Sequence, residues 1–129
     1  MSVANSLIKP TYPPQPTQAG YTIVSSVVGA IQTTETEIIR QKLTPGIWLM
    51  SCCLTLTGTS QTFQFGVRIE GLPYIAVQYF STHNLNPYSF TMSTPILVLE
   101  PSDILLIGSS TNTALTIGDG TLVQFTRLS

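Results

Sequence analysis

Charge is what this 129-residue chain has least of: charged residues make up 9% of it, against roughly a quarter in a typical soluble domain. The 5 basic and 6 acidic residues leave a net charge of -1, and nowhere do lysines and arginines form a run. Without such a run there is no electrostatic footprint for nucleic acid, and none for an anionic membrane surface. No stretch reaches the roughly 18 apolar residues of a spanning helix. The start, MSVANSLIKPTYPP, has neither the basic opening nor the apolar core of a signal peptide, so the expected site of synthesis is the cytoplasm. A surface this poor in charge is expected to be hidden in an assembly, since free monomers usually stay soluble through mixed surface charge.

Chemistry-bearing residues are equally scarce. The single histidine, His83, could form a Ser-His-Asp arrangement only with Ser81 and Asp103 or Asp119, partners that any Ser- and Thr-rich chain supplies by chance. Glu35 and Glu37 read as charges on an exposed strand rather than as a carboxylate pair for sugar cleavage. No glycine-rich phosphate loop opens a helix. Cys52 and Cys53 are adjacent, so in a strand they point to opposite faces; a bond between them would distort the backbone, and they make a poor metal site. Free buried thiols are expected. No catalytic, cofactor or metal residue is assigned, and the chain reads as a non-enzyme.

What is present is β pattern. Residues 43–58, LTPGIWLMSCCLTLTG, open on a Pro-Gly turn and hold the only tryptophan. With period two, Trp48, Met50, Cys52, Leu54 and Leu56 share one apolar face, and Ile47, Leu49, Ser51, Cys53 and Thr55 the other. The second face begins apolar and turns polar, which predicts a central strand covered on both sides over its first half and on one side after that. Ile47 and Leu49 then need a cover: either they floor the N-terminal arm or they meet another subunit.

Other strands follow at roughly 8 to 12 residue spacing. Residues 21–28 form one. Residues 33–43, with Glu35, Glu37, Arg40 and Lys42, suit an exposed edge strand, a short helix over 35–42 being the alternative. Residues 62–70 alternate Phe63, Phe65, Val67 and Ile69 with polar positions. Residues 74–80 are apolar on both faces, so the strand is central or its outer face, with Tyr74 and Tyr79, meets another subunit. Tyr88, Phe90 and Met92 start a strand that Pro95 punctuates, residues 104–107 form a buried run closed by a loop over 108–112, and Gly118-Asp119-Gly120 reads as a hairpin turn between the last two strands. The result is an all-β fold: a two-sheet antiparallel sandwich of about 8–10 short strands, a jelly roll first and an immunoglobulin-like sandwich second.

Before it, residues 1–20 carry Pro10, Pro13, Pro14 and Pro16 and no apolar period, so they predict an extended arm ahead of a domain at 21–129. Such an arm is either unstructured or laid along a partner. Val3, Leu7, Ile8, Pro10, Tyr12, Pro13 and Pro14 are the residues a partner surface would grip. Residues 81–87, STHNLNP, are a loop by composition, and His83, Asn84 and Asn86 are its candidates for holding a receptor or glycan.

The runs TPGIWLMSCCLTL, LVLEPSDILLIGSS and GTLVQFTRL resemble the small jelly-roll modules of viral and bacteriophage structural proteins, related in shape to the tumour-necrosis-factor and C1q head fold. Pro45, Gly46 and Trp48 match the turn that opens a core strand in those modules. Ser102, Asp103 and Ile104 match a late turn, Ser102 standing where glycine is frequent, and Leu122, Phe125 and Arg127 match the closing strand. The resemblance spans residues 21–129. It implies a homotrimer serving as a minor capsid, decoration or fibre component of a virion, joined to capsid or tail proteins by the arm; a receptor- or carbohydrate-binding head is the other role it admits.

Overall fold

The computed structural model describes residues 15–59, 61–81 and 88–129. Ten strands run through them: β1 (Thr22–Ser26), β2 (Gly29–Ile31), β3 (Thr36–Leu43), β4 (Gly46–Thr57), β5 (Thr62–Ile69), β6 (Tyr74–Ser81), β7 (Tyr88–Val98), β8 (Ser102–Ser110), β9 (Leu115–Ile117) and β10 (Leu122–Arg127). A front sheet is built on β4, with β7 on one side and β10 and β9 end to end on the other; β1 and β2 lie outside these, also end to end. A back sheet runs in the order β3-β8-β5-β6. All pairings are antiparallel. Apart from the hairpin β5–β6 and the two end-to-end pairs, each step along the chain crosses from one sheet to the other. That alternation closes the jelly roll.

The core lies between the sheets. From β4, Trp48, Met50, Cys52, Leu54 and Leu56 face inward and are buried, in the period the sequence dictates. Phe63, Phe65, Val67, Ile104 and Leu106 meet them from the back sheet. Phe63 packs edge-on to Phe90 at 5.0 Å and stacks on Phe80 at 5.3 Å, linking the outer strands β6 and β7 across the gap between sheets. Burying aliphatic and aromatic side chains of this size contributes roughly 1.5–3 kcal/mol each, which is enough for a chain whose two cysteines are free.

Several sequence expectations are corrected. The Gly118-Asp119-Gly120 segment is no hairpin, because β9 and β10 do not pair with each other. Both run along the same edge of β4, as Leu56 opposite Ile117 and Cys53 opposite Leu122 show. The intervening residues bulge out, and buried Thr121 fills the gap: its Oγ1 accepts from the Thr55 amide at 2.9 Å in place of a main-chain rung. Pro95 does not punctuate β7, which continues to Val98. Among the described residues the strand pairs only with β4 and so tolerates a residue with no amide proton. Residues 74–80 are not central; among the described residues β6 pairs only with β5 and is an edge. β8 runs on to Ser110 rather than closing at Gly108. Residues 36–43 are strand and not helix, and β3 is the charged edge of the back sheet. Ile47 is 42% exposed, so the first half of β4 is open on its outer side within one protomer.

Candidate assembly interface

Register fixes which side chains share the outer face of the front sheet. Four rows cross it: Thr55 beside Ser89; Ser26, Leu122, Cys53 and Thr91; Val24, Gln124, Ser51 and Ser93; and Thr22, Thr126, Leu49 and Pro95. A fifth sets Ile47 beside Leu97, with Leu128 donating its amide to the Ile47 carbonyl at 2.7 Å. None of these residues is charged. Hydroxyls, amides and apolar groups alternate over the whole face, apolar groups gathering where β4 begins. At about 3.3 Å per residue along the 12 residues of β4 and about 4.8 Å per strand across, the face measures on the order of 750 Å².

The back sheet is the opposite case. Arg40 on β3 bonds Glu37 and Asp103, both at 2.9 Å, and also Glu70, forming a network that stands in water. Tyr74 lies across the sheet, its hydroxyl donating to Glu35 at 3.0 Å and its ring 5.5 Å from the Arg68 guanidinium carbon. Gly66 makes room for that ring, since a Cβ there would come within 2.7 Å of it. Burial and the bond to Glu35 raise the tyrosine's pKa. Thus Tyr74, a candidate subunit contact, is engaged within its own protomer, whereas Tyr79 on the same strand is 71% exposed.

Val3, Leu7, Ile8, Pro10, Tyr12, Pro13 and Pro14 lie outside the described residues, as do His83, Asn84 and Asn86. The arm's root is described. Thr44 Oγ1 donates to the Pro16 carbonyl at 2.8 Å, the Gly20 amide to the Arg127 carbonyl at 2.7 Å, and the Arg127 amide to the Tyr21 carbonyl at 2.8 Å. Arg127 itself turns inward, 5.7 Å from the Trp48 ring centroid, and donates to Thr44 Oγ1 at 3.2 Å and to the Pro45 carbonyl. Trp48 Nε1 completes the knot by donating to the Thr44 carbonyl at 2.9 Å. Sequence reasoning missed this buried arginine. Its signal was available only in part, as a lone charge in an otherwise alternating final strand.

Cys52 points into the core and Cys53 onto the outer face, both unpaired. Burial, with the neighbouring Cys53 adding to it, pushes the Cys52 thiol up to about 12. A thiol that stays protonated is neither nucleophile nor metal ligand at neutral pH.

No protein-family model matches the sequence, and no curated protein matches it either. Solved structures match in shape. One from the disulfide-linked pili that form Bacillus endospore appendages covers 94% of this chain and 100% of its own, at 10% identity and a TM-score of 0.53. Eiger TNF from S. frugiperda covers 87% of this chain and 94% of its own, at 9% identity and a TM-score of 0.52. A chain of infectious bursal disease virus, Gx strain, matches 93% of this chain over 41% of its own at 12% identity; its TM-score of 0.43 is too low to carry an argument. At such identities the likeness is one of fold, and the fold is a TNF-like jelly roll.

Proposed function

We propose that this jelly roll is a non-enzymatic structural protein of a virion, a minor capsid, decoration or fibre component that assembles as a homotrimer through the outer face of its front sheet and joins its particle through the N-terminal arm. The observation that carries the reading is the uncharged outer face. Ionised side chains lose several kcal/mol when taken out of water unpaired, while hydroxyls and amides lose far less and can bond across an interface. A face on the order of 750 Å² is close to the roughly 800 Å² per partner of a stable interface. Glu37, Arg40, Lys42, Arg68 and Asp103 sit instead on strands of the back sheet, which would face outward.

In this arrangement Ile47 and Leu49 are subunit contacts, because the residues opposite and beside them, Leu97, Pro95 and Leu128, extend the same apolar patch. Tyr79 serves a second contact along the β6 edge. Ser51 sits in the middle row and tests the reading. Ser51→Glu places a carboxylate at the centre of the face without touching the core, so the variant is expected to keep its far-ultraviolet circular dichroism and elute from size exclusion as a monomer. An unchanged elution volume would remove the front sheet from the interface.

A further inference from the structure

A strand at the margin of a sheet shows a row of unpaired N–H and C=O groups, and folded proteins guard such a row with charge, proline or brevity. Most margins here are guarded. β3 carries Glu37, Arg40 and Lys42, β7 carries Pro95, and β1 and β2 are only 5 and 3 residues long. β6, reading YIAVQYFS, has none of these devices, and among the described residues it pairs with β5 alone. Val77, Gln78 and Tyr79 are exposed in succession, so side chains on both faces of the strand are open at its middle. β6 belongs to the back sheet and contributes no residue to the front face that the trimer would bury, so its margin stays free in that assembly.

An antiparallel pair about a twofold axis brings each residue close to its own copy, which penalises any charged strand. β6 is uncharged along its whole length. Its register is also constrained, because Ile75 is the extra residue of a bulge: Val67 faces Ala76, the next residue Arg68 faces Tyr74, and the strand bends there. A twofold at Val77 would set Tyr79 against that bulge, whereas a twofold at Gln78 keeps the regular stretch Ala76–Phe80 clear of it. We infer that β6 of one copy pairs antiparallel with β6 of a second about a twofold at Gln78, joining two four-stranded back sheets into one. Tyr79 then stands beside the second copy's Val77 on the outer face, and Phe80, which packs against the core, beside the second copy's Ala76. Large meets small on both faces, and the aromatic and β-branched side chains make a favourable cross-strand pair. The two Gln78 amides meet at the axis, each able to donate and to accept. Five residues span only about 17 Å, too narrow for the roughly 800 Å² per partner of a stable interface. The contact is therefore weak at micromolar concentration and links trimers already formed. It rests on the trimer reading and adds how one trimer meets the next.

Disulfide trapping of full-length chains tests the register. Gln78→Cys, Val77→Cys and Tyr79→Cys are each made with Cys53→Ser, which removes the half-buried native thiol, and oxidised mildly at high concentration. At the axis two copies of residue 78 have Cα atoms about 5 Å apart, within disulfide reach, while residue 77 lies about 8 Å from its own copy. Gln78→Cys alone is expected to link into dimers, as is a mixture of Val77→Cys with Tyr79→Cys, and Val77→Cys alone should link at least about tenfold more slowly. The inference is overturned if no variant links, if Val77→Cys alone links as fast as Gln78→Cys, or if the mixture links no faster than its separate components. Light scattering on the reduced chains at micromolar concentration keeps the two readings apart. Three chain masses without linking on oxidation sink the strand pairing alone, and one chain mass with the expected linking sinks the trimer alone.

Discussion

At the scale of single residues, the end of the sandwich where the arm enters is set by Gly46, Trp48 and Arg127. Gly46 has φ of +149°, a conformation that side chains rarely adopt, and a Cβ there would meet the Arg127 guanidinium carbon and the Ser129 carbonyl oxygen at 2.6 Å each. Both neighbours are held, so neither yields easily. Gly46→Ala is expected to destabilise the fold by about 2 kcal/mol or more in urea unfolding, from backbone strain and displaced arginine together. Cys52 gives a prediction in pH. Its thiol ionises at about 12 in the fold against 9.0 ordinarily, so above pH 9 the unfolded chain binds fewer protons than the folded one. Stability contributed by the buried thiol is therefore intact below pH 9 and lost as pH rises toward 12, at up to about 1.4 kcal/mol per unit. Cys52→Ala should flatten the wild-type decline between pH 9 and 12 while lowering stability modestly at pH 7; parallel curves for the two proteins would contradict the assignment.

At the scale of elements, the four sheet edges are not equally protected. β3 carries Glu37, Arg40 and Lys42, β7 carries Pro95, and β1 and β2 are two short pieces. β6 has no charge and no proline, with Ile75, Val77 and Tyr79 exposed. An edge of that kind invites pairing. Tyr79→Lys should leave thermal stability within about 0.5 kcal/mol of wild type and reduce concentration-dependent association in sedimentation; equal association would free Tyr79 of any contact role. The strands themselves were legible in the sequence wherever one face is dry. Trp48 to Leu56 and Phe63 to Ile69 declare their inward sides by period alone. Sheet membership was not legible, because pairs such as Cys53 with Leu122 join residues far apart in the chain and nothing local encodes them. For the same reason Gly118-Asp119-Gly120 reads as a hairpin: its turn chemistry is local, while the shared edge of β4 that makes it a bulge is not. The scarcity of charge was visible from composition. Its absence from the outer face of the front sheet became visible only once register had sorted the strands.

At the scale of the molecule, two sheets of opposite character divide the work. One holds its charges in bonds with water around them, and the other carries hydroxyls, amides and apolar groups over an uncharged outer face. The arm root is bonded to the β3–β4 turn and to β10, so removing residues 1–14 leaves these ties in place. Such a truncation should still form the trimer and fail to join the particle, and truncated protein recovered in purified particles would contradict the anchor role. The central claim is the trimer itself. Light scattering coupled to size exclusion, on the full-length wild-type chain at micromolar concentration, should return three times the 14.0 kDa chain mass; a mass of 14.0 kDa would contradict it.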